Sequence, residues 1–226
     1  MCPDDGWQEF SNRPPGSLLA LAGSIRTLTE QLLRVADLPQ DVAAEARSLA
    51  GQADRLTGRL APHARDDRMP RMGPEPTATR PYFVRGPIIG AHHPLQPLFE
   101  VEHLPGRSRG RVNFGVTYEG PPGCVHGGFV AFFFDEILGE HNVHARIPAM
   151  TGTLKVRYNA ATPLFTDLDF LVHSRAHGPR KVLTHGTLAH GEVVFAEAEG
   201  LFIVPRSAQW NPEQLESDLG SNLESR

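Results

Sequence analysis

A glycine-rich turn, an apolar helix and a single acid follow one another in the middle of the chain. The turn spans residues 120–128 (Gly-Pro-Pro-Gly-Cys-Val-His-Gly-Gly), the helix begins near Phe129, and the acid is Asp135. Proline ends a strand at such a turn, and glycine lets a ligand approach the backbone. Free N–H groups at the helix start suit an oxygen that gains negative charge, such as that of an attacked thioester carbonyl. Asp135 would then be the base or the nucleophile.

The helix that carries Asp135 is apolar on every side, which predicts that a sheet encloses it. Its apolar residues are Phe129, Val130, Phe132, Phe133, Phe134, Ile137 and Leu138. A carboxylate buried there costs several kcal/mol unless it is hydrogen-bonded or paired. Burial also raises the pKa of a carboxyl group and makes it a better base. We therefore interpret Asp135 as functional, with a structural tether between helix and strand as the alternative.

The spacing of the two candidate groups predicts the assembly. Gly127 and Asp135 are eight residues apart, or about 12 Å along one helix, so they cannot both reach one carbonyl group. Two antiparallel helices related by a twofold axis would bring Gly127 of one chain near Asp135 of the other. The spacing therefore predicts a site shared between two subunits.

The N-terminal part of the chain shows two amphipathic helical patterns. Apolar residues recur at helical spacing over 18–35 and in near-heptad steps over 42–60, with Pro39 between them. We interpret this as a helical hairpin, which either packs on its own domain or serves as a dimerisation or lid element. Proline-rich and arginine-rich sequence then predicts a linker. The predicted divisions are a hairpin at 1–61, a linker at 62–81, a main domain at 82–205 and a polar tail at 206–226.

The main domain alternates apolar and polar residues in several segments. These are 97–103, 112–118, 154–158, 168–172, 182–189 and 193–204. Only one of them is followed by a long helix, so we predict an α+β fold with an antiparallel sheet wrapped around that central helix.

Composition excludes several classes of function. The formal net charge of −4 gives no general attraction to nucleic acid or to an anionic membrane. The longest apolar run, 129–134, is too short to span a bilayer. Cys2 and Cys124 are too few for a disulfide framework, and the acidic start of the chain lacks an apolar signal core, so we expect a reduced, cytoplasmic protein.

These residues resemble the hotdog-fold acyl-CoA thioesterases, in particular the PaaI-like group and the mammalian thioesterase-superfamily members. The family motif is a His-Gly-Gly turn, a buried helix and an acid eight residues after the first glycine, which His126, Gly127, Gly128 and Asp135 match. The mammalian branch also shares the segment 119–123 and the pair Met150-Thr151. The resemblance covers residues 87–204. It implies a hotdog fold, hydrolysis of an acyl-CoA substrate without a cofactor, and a homodimer or dimer of dimers.

The resemblance also implies roles for single residues. The Gly127 N–H would form the oxyanion hole, Asp135 would activate water or attack the carbonyl, Thr151 would position the water and His126 would help to bind the thioester. CoA contacts would fall on Arg157, Asn159, Arg180 and Lys181. Odd numbering independently predicts that Thr151, Arg157 and Asn159 share one strand face, opposite Leu154, Val156 and Tyr158. An ordinary solvated strand face is the alternative for the basic residues.

One departure and several alternatives stay open. Many PaaI-like proteins carry Asn-Pro in the early loop, where this chain has His92-His93-Pro94. Glu136, Glu140, His141 and His144 fit no established zinc spacing, so we expect no metal. Cys124 beside His126 lacks an orienting third group and is interpreted as a buried, inert thiol. A hotdog protein that binds acyl-CoA or an acyl chain without catalysis is the main rival, whereas a hotdog hydratase would need a His-Asp pair that the helix lacks.

Overall fold

The computed structural model describes residues 16–63, 93–206, 208 and 210. Most of the predicted linker and nearly all of the predicted tail lie outside these residues, so the domain boundaries stay predictions. The described chain has three α-helices, α1 (Gly16–Leu32), α2 (Gln40–Leu60) and α3 (Gly127–His144), and 3-10 turns at Ala61–His63 and Val116–Tyr118. Its strands are β1 (Leu98–Leu104), β2 (Arg107–Asn113), β3 (Met150–Tyr158), β4 (Asp167–Ala176), β5 (Lys181–His190) and β6 (Val193–Ile203).

The six strands form one antiparallel sheet in the order β1-β2-β4-β5-β6-β3. β4, β5 and β6 alternate buried and less buried residues, so one face of the sheet is the core face. The long helix α3 packs on that face. The predicted α+β architecture, an antiparallel sheet around a central helix, is confirmed. None of the described helices combines the length and apolarity needed to cross a membrane.

The centre of the core lies where α3 crosses β5 and β6. Phe134 and Leu138 of the helix are both 0% exposed. Opposite them the strands carry glycine: a Cβ on Gly186 would lie 3.0 Å from Leu138 and 3.2 Å from Phe134. A Cβ on Gly200 would lie 3.3 Å from Leu138. The absence of side chains at these two positions lets the helix approach the sheet.

The prediction of a strand over 112–118 is wrong in its boundaries. β2 runs from Arg107 to Asn113, and Val116–Tyr118 form a 3-10 turn. The strand was missed because its core face carries Ser108 and Gly110 in place of large apolar residues, while arginines occupy its outer face. Gly110 is required because a Cβ there would collide with the backbone of Glu100 in β1.

Buried polar residues replace apolar packing at the C-terminal half of α3. The Ser108 hydroxyl lies 2.8 Å from Nδ1 of His103 and 2.8 Å from Nδ1 of His141, and His141 Nε2 lies 3.2 Å from the Ser174 hydroxyl. His103 Nε2 also lies 3.3 Å from Glu140 Oε1. Burial, followed by the neighbouring histidines, lowers the pKa of His141 to about 3. His141 is therefore neutral near pH 7 and connects α3 to β2 and β4.

The sequence predicted that α3 is buried on every side. The structure leaves one side of the helix only partly covered. Phe133, Phe134 and Ile137 face the sheet and are buried, whereas Phe132 and Asp135 are only partly covered. Gly139 and Val143 extend this partly covered stripe toward the end of the helix. In the described part of the chain, the stripe that carries Asp135 is therefore less covered than the sheet-facing side, although the edge strand β3 contacts it.

The two predicted N-terminal helices are present, and they differ in how they contact the domain. α1 buries Ala22, and the Arg26 guanidinium donates to the His93 carbonyl at 3.0 Å. Pro39 stands at the N-cap of α2, immediately before its first residue, as its fixed φ favours. α2 itself has no buried residue.

The close contact at Gly186 yields a stability prediction. Gly186→Val adds a branched side chain under Leu138 and Phe134, so we expect the free energy of unfolding to fall by about 1–3 kcal/mol. Thr187→Val on the opposite face of β5 is the control, and should change it by less than about 0.5 kcal/mol. Urea unfolding measures both, and equal effects would show that α3 does not pack closely at this position.

Candidate active site

The glycine turn before α3 is held by hydrogen bonds. The Gly123 N–H donates to Glu119 Oε1 at 2.8 Å, and the His126 N–H donates to the Tyr118 carbonyl at 2.8 Å. Gly123 has a φ of +76°, in the left-handed region that favours glycine. The turn therefore delivers the chain to the start of α3 in one defined direction.

The start of α3 presents an available N–H group. His126 is the N-cap, and its Nδ1 accepts a hydrogen bond from the Gly128 N–H at 3.0 Å. The Tyr158 hydroxyl donates to the Gly127 carbonyl at 2.8 Å. No described residue accepts a hydrogen bond from the Gly127 N–H, which is one of the groups that a helix start leaves unpaired. Tyr158 was missed as a site residue, although its predicted strand face already pointed it toward the helix.

Asp135 is hydrogen-bonded to Thr151. The Thr151 hydroxyl donates to Asp135 Oδ1 at 2.9 Å, and the pair lines a cleft of about 200 Å³. Asp135 is only partly covered, so the prediction of a fully buried acid is wrong for the single chain. The remaining walls of the cleft are mainly apolar and comprise Glu136, Gly139, Val143, Ala149, Met150 and Phe202.

A β-bulge in β3 decides which way Thr151 points. Thr151 pairs with Phe202 and Thr153 with Leu201, so Gly152 is the extra residue. Phe202 faces the core, and Thr151 opposite it therefore faces α3. The prediction that Thr151 shares a face with Arg157 is wrong, because alternation does not continue across a bulge. The glycine within a strand pattern was the available signal.

Glu136, the residue after Asp135 in the chain, is buried. It is 8% exposed, and its Oε2 atom has no hydrogen-bond partner among the described residues. Burial is the main cause that raises the pKa of Glu136 to about 7, and the negative charges of Asp135 and Glu140 act in the same direction. Sequence reasoning considered Glu136 only as a metal ligand. The described part of the chain brings no three His, Cys, Asp or Glu side chains together as a metal site.

Among the described residues, none of the four predicted CoA contacts forms a hydrogen bond with Asp135, although Lys181 and Met150 pair with the same residue of β6, Ile203, so Lys181 lies at the end of the sheet that carries Thr151. Arg157 is exposed opposite Glu197, on the face of the sheet that points away from α3. Asn159 follows β3, and Lys181 begins β5 with an exposed side chain. The Arg180 guanidinium donates to the Val204 carbonyl from Nε at 3.0 Å and from Nη2 at 2.8 Å.

The structure also describes His93 and Cys124, two residues that the sequence analysis considered for the site. His93 Nδ1 accepts a hydrogen bond from the Leu95 N–H at 3.2 Å, and the His93 carbonyl accepts one from Arg26. His92 lies outside the described residues. Cys124 is a free thiol that is partly exposed, so the expected full burial is not observed.

The raised pKa of Glu136 predicts how stability depends on pH. Between about pH 4.5 and 7 the folded chain holds a proton on Glu136 that the unfolded chain releases, so this stabilising contribution is present below pH 4.5 and is lost as pH rises toward 7. Glu136→Gln removes the ionisation. We expect the melting temperature of this variant to exceed that of the unchanged protein at pH 8, by about 2–5 °C, and to match it near pH 4.5.

Calorimetry across this pH range measures the difference. Glu199→Gln, at an exposed position of β6, is the control and should follow the unchanged protein at every pH. A Glu136→Gln variant with the same pH dependence as the control would contradict the raised pKa.

Comparison with known structures supports the fold. No family model matches the chain, and no curated protein matches it. The crystal structure of a protein of the thioesterase superfamily is similar, with a TM-score of 0.69 and 28% identity over 82% of this chain and 90% of that chain.

Two smaller structures overlap with about half of this chain. Thioesterase superfamily member 2 from Mus musculus is 14% identical over 48% of this chain and 88% of its own, with a TM-score of 0.44. The PaaI protein from the phenylacetic acid degradation operon of E. coli is 10% identical over 46% of this chain and 82% of its own, with a TM-score of 0.43. The predicted hotdog fold is confirmed, and the chain is similar in structure to a protein of the thioesterase superfamily.

Proposed function

We propose that this protein hydrolyses an acyl-CoA thioester to the free acid and CoA. The observation that carries the proposal is the Asp135–Thr151 hydrogen bond in a cleft that has an apolar wall. A threonine hydroxyl that donates to one carboxylate oxygen fixes the rotamer of the acid and leaves its second oxygen for a water molecule or a substrate carbon. The available N–H of Gly127 supplies the complementary group, a donor for an oxygen that becomes negative.

The reaction divides between these groups. Asp135 accepts a proton from water while the water oxygen attacks the thioester carbon, and the carbonyl oxygen accepts a hydrogen bond from the Gly127 N–H as it gains charge. When the C–O double bond re-forms, the C–S bond breaks, and the CoA thiolate takes a proton from Asp135 or from solvent. In direct attack, a carboxylate oxygen of Asp135 would instead bond to the thioester carbon, the C–S bond would break to release the CoA thiolate, and water would then hydrolyse the mixed anhydride to the free acid and Asp135. His126, as the N-cap, orients the glycine turn for either route.

A second copy of the chain completes the proposed site. Gly127 and Asp135 lie at the two ends of about 12 Å of α3, so one carbonyl cannot contact both within a chain. The stripe of α3 that carries Phe132, Asp135 and Gly139 is only partly covered in the single chain. An antiparallel α3 from a partner subunit would cover this stripe and bring the partner's glycine turn to Asp135. We therefore propose a homodimer as the active unit, or a dimer of such dimers.

The surroundings of the cleft support the substrate class. Val143, Ala149, Met150 and Phe202 form an apolar wall beside Asp135, which suits an acyl group. We propose that Arg157, Asn159 and Lys181 contact the nucleotide end of CoA, because its phosphates need a local basic patch on an acidic protein. Arg180 is bound to the Val204 carbonyl by two of its nitrogens, so its proposed role is to hold the turn beside Lys181. A cytoplasmic location stays a prediction.

The role of Asp135 is tested by Asp135→Asn. We expect thiol release from a panel of acyl-CoAs to fall by about two to four orders of magnitude, because the amide cannot accept the proton. Asp169→Asn, on the exposed face of β4, is the matched control and should keep full turnover. Binding of acyl-CoA that persists without hydrolysis in the unchanged protein would favour the non-catalytic alternative, and full turnover by Asp135→Asn would remove this residue from the mechanism.

The shared site is tested by mixing inactive chains. Gly127→Val crowds the turn beside Tyr158, and Asp135→Asn removes the base, so each variant alone should be inactive. After subunit exchange, mixed dimers should regain one unaltered site out of two, or about a quarter of all sites in a random mixture. The control is the double variant mixed with Asp135→Asn, which offers no unaltered site. Mixed dimers without recovered turnover would contradict the shared geometry.

A further inference from the structure

The helix α2 carries an apolar seam that nothing in the described chain covers. Its members repeat in alternating steps of four and three residues, at Val42, Ala46, Leu49, Ala53, Leu56 and Leu60. The four large ones are between 36% and 45% exposed, and no residue of α2 is buried. Most of the stability of a helix in a protein comes from packing of its apolar face, so a seam of this kind indicates a partner.

The period of the seam identifies the partner as another helix. Steps of four and three give a 3.5-residue repeat, the pattern of a helix that packs side by side with a second helix. Residues seven apart in the seam form two parallel rows along the helix. One row consists of Ala46, Ala53 and Leu60, and the other of Val42, Leu49 and Leu56. A good partner must therefore place large side chains opposite the alanines.

A second copy of α2 running in the opposite direction meets this requirement. In an antiparallel pair each position of one row faces a position of the other row, and the layers become Ala46 with Leu56, Ala53 with Leu49, and Leu60 with Val42 of the other copy. Every alanine then faces a leucine. In a parallel pair, alanine would face alanine in two layers and leave space unfilled.

Charge selects the same partner. The positions that flank the seam on one side are Glu45, Gln52 and Arg59. In the antiparallel pair Glu45 lies beside Arg59 of the other copy, twice by symmetry, and the two Gln52 side chains meet at the twofold axis. A parallel pair brings Glu45 beside alanine.

The helix α1 is a poorer partner for the same seam. It also exposes apolar residues, including Ile25 and Leu32. Its two ionisable residues, Arg26 and Glu30, lie toward the domain, where Arg26 donates to the His93 carbonyl and Glu30 lies beside Gly115. α1 therefore offers no charge to Glu45 or Arg59.

We propose that α2 associates antiparallel with α2 of a second copy of this chain, centred near position 51, with the two Gln52 side chains beside the twofold axis. The contact uses no residue of the glycine turn or of the Asp135 cleft, so it is independent of the proposed hydrolysis. It joins chains through their N-terminal segments. A dimer formed through α3 would then be linked to a further dimer.

The seam is tested in the full-length chain by sedimentation equilibrium over a range of concentrations. Leu49→Asp places a charge in two symmetry-related layers, and we expect the Kd of one association step to rise by more than about tenfold. Ser48→Asp introduces the same charge at the neighbouring position outside the seam and is the matched control, with a Kd within about twofold of the unchanged protein. Circular dichroism and thermal unfolding establish that both variants are folded.

Charge exchange tests the antiparallel direction. Glu45→Arg alone and Arg59→Glu alone each place like charges beside one another, and each should raise the same Kd by about five- to tenfold at low salt. The variant with both changes restores opposite charges and should return to within about twofold of the unchanged protein.

Two results would overturn the proposal. Association of Leu49→Asp equal to that of Ser48→Asp would show that the seam does not join chains. Dissociation by Leu49→Asp, together with no effect of the single charge changes or no restoration by the double change, would assign the seam to another occupant such as α1. Neither result depends on thioester hydrolysis.

Discussion

The packing of α3 against the core face of the sheet is the constraint on which the rest of the structure depends. Leu138 and Phe134 can approach β5 and β6 only because Gly186 and Gly200 carry no side chains beneath them. Once the helix is held there, its N-terminus is committed to the end of the glycine turn. Its Asp135 stripe is equally committed to the side that the sheet leaves open. The packing of α3 in the core therefore fixes the positions of both the glycine turn and Asp135.

The edge strand β3 completes the site by an irregularity. The bulge at Gly152 turns Thr151 toward α3, where its hydroxyl reaches Asp135. A regular strand would have pointed this hydroxyl to the outer face with Arg157. A bulge costs pairing in the ladder, and edge strands tolerate it because they have a neighbour on one side only. Tyr158 at the other end of the same strand holds the glycine turn, so β3 contacts both ends of the proposed machinery.

The acidic residues along α3 lie in different surroundings, so they differ in burial, hydrogen bonding and pKa. Asp135 is partly covered and hydrogen-bonded, Glu136 is buried with a raised pKa, and Glu140 lies beside His103. The C-terminal half of α3 has the hydrogen-bond network around Ser108 and His141 in place of apolar contacts. Such a network specifies position because each buried polar group needs its partner. It also explains why β2, which supplies Ser108, carries little apolar signal.

The sequence by itself determined the α+β architecture, the long central helix that follows the glycine turn, and five of the six strands in approximate position. These features follow from alternation, helical periodicity and turn residues, which are local. The limits of β2, the orientation of Thr151, the partial exposure of Asp135 and the burial of Glu136 were decided only by the tertiary structure. Each of them depends on which neighbours a strand or helix face contacts. Ser108 can take a buried strand position because it is hydrogen-bonded to His141, and the single bulge at Gly152 reverses the face on which Thr151 lies. Alternation along one chain carries no information about those neighbours.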